Sequence, residues 1–352
     1  MLTKKGPGIL IQLVATYIGA VIGAGFASGQ EILQFFVLYG YKGVLGVLLA
    51  TILFAYLGSM VMVLSVRLKA GSYQELLYYL LGPWASKFMD LLSLFMLVGG
   101  LGVMLSGSGA VMQEYMGMPG WFGIGVGVGV VIYVILHGLK GLLAINVILV
   151  PLKLVGVCLI AALAVFSQGL PQEITLIEHE GVGGNWLWSS ILYVSFNMIV
   201  PVAVLSSMGR SITAKTGIYA GLLGGIGLGL AVGMVTLAGL SFYPNVANYE
   251  VPMLYMASCI STALRPVFAL LIWVAILTTA VANAHGFASR LAPEGGKKYR
   301  FYGIGACLVV LPLTYFDFSA LVRILYPLFG YAGLILITAL LFVPFLKRHK
   351  HS

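Results

Sequence analysis

Long apolar runs separated by short polar punctuation recur about ten times along the chain, near residues 7 to 39, 42 to 66, 86 to 114, 120 to 138, 143 to 167, 186 to 209, 213 to 241, 264 to 290, 299 to 316 and 319 to 345. Each is long enough to cross a hydrocarbon core of about 30 Å, so the pattern predicts an all-α polytopic membrane protein with ten transmembrane helices. The first run is too long for one straight crossing: as a single helix it would extend about 50 Å at ~1.5 Å per residue. A break is expected at Gly23-Ala24-Gly25-Phe26-Ala27-Ser28-Gly29-Gln30-Glu31, where three glycines make poor helix interior and a carboxylate follows at once. The sixth run carries a second signal at Ser195-Phe196-Asn197-Met198-Ile199-Val200-Pro201, where Pro201 removes a backbone donor and Asn197 supplies amide groups. Irregular backbone at membrane depth is tolerated only where protein encloses it or where it lines a watery cavity, and paired interruptions point to a binding site at the midplane.

The breaks open each of two halves. Residues 1–167 form a first five-helix repeat, 168–185 a loop, 186–346 a second five-helix repeat and 347–352 a basic tail. Because five is odd, the second half starts on the opposite face and the repeat is inverted. Composition agrees: hydrophobic residues make up 61% and charged residues 8% of 352, against about 25% charged in soluble domains. The net charge of +9 reads as topology rather than nucleic-acid binding. All but four of the 19 Lys and Arg residues fall on one side, the exceptions being Lys42, Lys153, Arg265 and Arg323. That bias predicts cytoplasmic N- and C-termini. The loop with Glu173, Glu178 and Glu180 is then extracellular. Cys158, Cys259 and Cys307 have neither metal nor disulfide spacing and read as packing. Lys4 and Lys5 precede a long apolar run without a small-residue cleavage pattern, so no cleavable signal peptide is expected. No Ser/His or paired Asp constellation speaks for an enzyme, and no ATPase domain for primary transport.

These ten spans, with breaks in segments 1 and 6, resemble the five-plus-five inverted repeat of LeuT-type transporters. The Gly23 to Glu31 stretch and Asn146-Val147-Ile148-Leu149-Val150-Pro151-Leu152-Lys153-Leu154 make the chain similar, over nearly its whole length, to the bacterial YkvI-type group of the amino acid-polyamine-organocation superfamily, classed with amino-acid permeases. The resemblance implies a multi-pass protein of the bacterial plasma membrane, with the lipid bilayer and a small amino compound as its partners and no cofactor beyond a coupling ion. On that fold, amides near Gly23, Ala24 and Gly25 would receive a substrate carboxylate, aided by the helix dipole. Carbonyls around Ser195, Phe196 and Asn197 would receive an ammonium group. Phe26, Ser28, Phe196, Met198 and Met104 complete the expected substrate pocket.

Coupling has two readings. Ala275-Ile276-Leu277-Thr278-Thr279 resembles the Ala-x-x-Thr-Ser pattern of a sodium site, which the carbonyls of Gly19, Ile22 and Ala275 and the hydroxyls of Thr278 and Thr279 would complete. Lys153 instead resembles the ammonium that related permeases hold in the same cavity, where it could exchange a proton during the cycle. Like charges repel strongly in low dielectric, so sodium and Lys153 exclude one another, and proton coupling or exchange is the preferred reading. The family's second sodium site would need an amide where this chain has Phe26, and is expected to be absent. Glu31 and Arg323 stand, with reversed polarity, where sodium symporters of this fold carry a gating pair, so the two are expected either to close over substrate or to form a static structural ion pair. Asp90 reads as a helix-start carboxylate and His285 as a packing histidine. The function expected is secondary active transport of an amino acid or related amino compound. The alternatives are a sodium symporter and a non-transporting sensor resembling spore-germinant receptor subunits.

Overall fold

In the computed structural model the described residues are 7–137, 140–169 and 181–348, with the side chains of 7, 140–147 and 345–348 outside the description. The acidic residues Glu173, Glu178 and Glu180, the basic residues Lys4, Lys5 and Lys350 and the side chains of Lys140, Lys347 and Arg348 therefore lie outside the described residues. The first run is three helices, α1 (Pro7–Val21), α2 (Ala24–Ser28) and α3 (Gln30–Phe35), followed by a 3-10 turn. The remainder is α4 (Tyr41–Leu68), α5 (Tyr73–Met116), α6 (Gly120–His137), α7 (Lys140–Gln168), α8 (Trp186–Ser206), α9 (Ala214–Ser241), α10 (Pro252–Ile260), α11 (Leu264–Leu291), α12 (Gly296–Val310) and α13 (Phe318–Arg348). Among the described residues, eight helices are individually long and apolar enough to cross a membrane. The first run is divided into pieces, and the run at 299 to 316 is α12 plus a 3-10 turn at Leu311–Tyr315.

The first interruption lies where the glycines put it, and it has two joints. Gly23 is extended between α1 and α2, and Gly29 adopts φ 81° between α2 and α3. A side chain at Gly29 would be strained in that conformation and would also strike Met253 of α10. The second predicted interruption is absent: α8 runs unbroken from Trp186 to Ser206 through Pro201. Two features support its continuity. The Ser195 hydroxyl donates to the Ile191 carbonyl at 2.6 Å and Asn197 Nδ2 to the Tyr193 carbonyl at 3.1 Å, so these side chains bind the helix's own backbone. Gly330 and Gly333 also bring α13 onto the backbone at Leu192 and Ser195, and packed neighbours are what allow proline in membrane helices.

A second departure concerns Asp90. The helix carrying it starts much earlier, at Ser72, whose hydroxyl accepts from the Glu75 amide at 3.3 Å, and kinks at Gly82 and Pro83. Asp90 is two turns beyond that kink, 3.8 Å from Arg290 of α11. His285 meets the packing expectation, with Nδ1 2.8 Å from the Tyr299 hydroxyl.

Glycines of α9 recur every fourth residue at Gly217, Gly221, Gly225 and Gly229, making one helix face. That face lies on α4 so closely that a Cβ at Gly221 or Gly225 would fall on the backbone of Ser59 or Ala55. Small residues permit this approach, and packing there replaces the hydrophobic effect that lipid cannot supply.

The chain ends of these helices define two faces of the bundle. One carries Arg67, Lys69, Arg210, Arg290, Lys297, Lys298 and Arg300 and is called the basic face. The other carries α10 and a clasp of half-buried carboxylates. Glu114, ending α5, accepts the Glu250 and Val251 amides at 2.5 and 3.2 Å, and Glu250 accepts the Phe318 amide at the start of α13 at 2.6 Å. Arg265 donates to the Glu114 carbonyl at 2.8 Å. Burial lifts the Glu250 carboxyl above its ordinary value of 4.5. Folding thus favours its protonated form: this contribution is full below that ordinary value and is lost as pH rises through the raised one. Glu250→Gln, which keeps an acceptor for Phe318, is expected to flatten the fall in unfolding temperature between acidic and neutral pH. Glu250→Ala strands that amide and should lower stability by roughly 1–3 kcal/mol. Thermal unfolding in detergent across pH reads both, and an unchanged slope in the Gln variant contradicts the assignment.

Candidate functional site

The interruption between α1 and α2 borders a cavity of about 550 Å³. It is formed where α1 stops: the Gly23 amide turns back to the Val21 carbonyl at 2.9 Å, and regular bonding resumes when the Ala27 amide reaches the Gly23 carbonyl at 3.1 Å. From the break the cavity extends along α5 and α11 toward the basic face, where Tyr73, Ser93 and Arg290 line it. On the α10 side it is sealed. Phe26, Ile32 and Phe35 are buried, and α10 seats Met253 against Gly29.

Of the residues expected to meet substrate, Gly23, Ala24, Gly25, Phe196, Asn197 and Met104 line this cavity. Four others do not. The Ser28 hydroxyl donates to the Gly25 carbonyl at 2.8 Å and serves the turn of α2. Ser195 is occupied within α8, Met198 accepts the Tyr17 hydroxyl on its sulfur at 3.3 Å, and Phe26 is packed in the core. A side chain at a break points by local helix phase, and these point away from the opening.

The coupling candidates do converge. Gly19, Ile22, Thr278, Thr279 and Lys153 line the same cavity. Both threonine hydroxyls donate to the Ala275 carbonyl, at 3.0 and 2.8 Å, which leaves their lone pairs as the free oxygen functions. Lys153 is 3% exposed. It therefore does not reach the bundle surface, and among the described residues it has no hydrogen bond or ion pair. No group of three His, Cys, Asp or Glu suited to a metal occurs among the described residues.

The two gate candidates are not joined. Glu31 is buried and its Oε1 accepts from Asn197 Nδ2 at 3.1 Å, while Arg323 is exposed on α13. Glu31 belongs instead to the cavity wall. Tyr326, Phe329 and Asn283 also line the cavity and were not anticipated. Asn283 had a legible signal, an amide in an apolar run one turn beyond Thr279. Tyr326 had none, because its role depends on how α13 packs.

No family model matches the chain. Among solved structures, the manganese transporter of Eremococcus coleocola, as a point mutant, superposes with a TM-score of 0.59 at 15% identity, covering 96% of this chain and 80% of that one. The inward-facing conformation of Mhp1 gives 0.58 at 13% identity over 92% of this chain and 73% of that one. Closed Mhp1, a nucleobase-cation-symport-1 family transporter with bromovinylhydantoin bound, gives 0.51 at 14% identity over 89% and 74%. These likenesses show the fold, that of LeuT-type membrane transporters. In sequence, the uncharacterised membrane protein YkvI of Bacillus subtilis (strain 168) is 30% identical over 96% of this chain and 97% of its own length. YyaD of the same organism, also uncharacterised, is 32% identical over 95% and 96%. With that identity sustained from end to end, the chain belongs to the YkvI family of bacterial membrane proteins.

Proposed function

We propose that this protein is a secondary active transporter of an amino acid or related small amino compound, working by alternating access in a bacterial plasma membrane. The observation that carries the reading is Lys153, a buried cation without a protein partner among the described residues, on the wall of a cavity that begins at a broken helix. An ionisable group held so deep in apolar surroundings is expensive, and a transport pathway is the usual reason for keeping one. The broken first run and the assembled ninth complete ten crossings in a five-plus-five inverted repeat. The basic face is cytoplasmic by its charge, so the cavity is open inward and sealed outward by α10.

The preferred coupling is a proton carried by Lys153, or exchange. Thr278 and Thr279, with free lone pairs on the same wall, support sodium as the second reading. Purified protein in liposomes, given labelled amino acids under separately imposed proton and sodium gradients, tests all of this. Uptake driven by the proton gradient or by internal amino acid is expected. Sodium-driven uptake replaces the preferred coupling by the second reading. Specific binding without movement under any condition makes the protein a sensor.

A further inference from the structure

Glu31 is 4% exposed and faces the cavity, and among the described residues it has no ion-pair partner. Asn197 Nδ2 holds its Oε1, and the same nitrogen donates to the Tyr193 carbonyl, which fixes the amide in place. The other oxygen, Oε2, stands with the Tyr326 hydroxyl over Gly25. A Cβ added at Gly25 would lie 2.7 Å from each, so the glycine is what lets both oxygens come in against the backbone at the break. Aromatic rings stand beside them. Phe196 packs on Tyr326 with centroids 4.9 Å apart, and on Tyr193 edge-on at 5.8 Å. The buried Tyr193 hydroxyl, without a well-placed hydrogen-bond partner, faces the same carboxylate.

A carboxylate with aromatic rings beside it is complementary to an organic cation: it offers charge-assisted hydrogen bonds, to which a ring face can add cation–π attraction. The unbroken α8 points the same way. Its backbone within 192 to 200 is helical, so apart from the Asn197 carbonyl, whose donor Pro201 lacks, the freed carbonyls that an interrupted segment would offer an ammonium group are not there.

We propose that Glu31, with Phe196 and Tyr326, is the subsite for the ammonium group of a primary-amine substrate. This rests on the amino-compound reading above and names the group that reading recognises. Compounds with a free primary amine fit; the same skeleton without nitrogen does not.

The test is thermal stabilisation of the purified full-length protein by two matched sets. These are leucine, isopentylamine and 4-methylpentanoate, then phenylalanine, 2-phenylethylamine and 3-phenylpropanoate. Members with an amine are expected to stabilise the wild type, and the nitrogen-free acids are not. Glu31→Gln should weaken amine binding by roughly thirtyfold or more, the effect of removing one partner from a buried charge pair. Phe196→Leu, which leaves the charge, should weaken it roughly three- to thirtyfold, and gives the answer if Glu31→Gln does not fold. The proposal is overturned if no amine stabilises the wild type, if the acids bind as well as the amines, or if both variants bind amines like the wild type. Amine binding that depends on Glu31 without movement in liposomes removes the transport reading and leaves this one. Amine uptake indifferent to Glu31 does the reverse.

Discussion

Lys153→Ala is expected to abolish proton-driven uptake in liposomes while leaving exchange of internal for external substrate measurable. The side chain is the cavity's only buried cation with no protein partner among the described residues, and it shares the wall with Thr278 and Thr279. Removing it takes away the site where a proton would alternate between the two faces of the membrane. It also removes a charge that repels cations in low dielectric, so sodium should bind more readily in the variant than in the wild type. The two effects separate the candidate mechanisms. A Lys153→Ala protein with unchanged proton dependence would show that the proton travels elsewhere, and a gain of sodium stimulation would identify the Thr278 and Thr279 oxygens as a latent cation site.

Gly225→Leu is expected to prevent stable assembly of the bundle, with destabilisation on the order of 3 kcal/mol or more. A Cβ there falls on the Ala55 backbone, which cannot rotate aside as a side chain would, so α4 and α9 must separate. Gly125→Leu and Gly129→Leu on α6 serve as controls. Nothing lies within 4 Å of a Cβ at either position, so both should behave like the wild type. Recovery of monodisperse protein in detergent and its unfolding temperature measure the difference, and a Gly225→Leu protein as stable as the α6 variants would contradict the packing argument.

The first interruption was legible because glycines and a carboxylate in an apolar run admit few structures. The embedded charges were legible for a related reason, since Glu31 and Lys153 stand out where nearly every neighbour is apolar, but the sequence pairs Glu31 with Arg323 as a gate whereas the structure sets it in the cavity wall. The α9 stripe could be seen as glycine content, but its register against α4 needed the structure. The interruption read into 195 to 201 failed on compensation. Proline removes one backbone bond, and whether that breaks a helix depends on side-chain bonds such as those of Ser195 and Asn197 and on a neighbour such as α13. Side-chain direction around a break was likewise out of reach. Ser28, Ser195, Met198 and Phe26 are near the opening in sequence and turned from it in space, whereas Tyr326 is distant in sequence and sits over Gly25.

The continuity of α8 has a mechanical consequence. In a pair of inverted halves with a flexible elbow in each, both arms can bend, and the pocket can change shape from either side. Here α8 is clamped against α13 along Leu192 to Ser195, while the partner segment is cut at Gly23 and again at Gly29 into blocks of five and six residues. Bending is therefore confined to one arm. The other would act as a rail, and under the transport function proposed above the substrate would pass between a hinged wall and a fixed one.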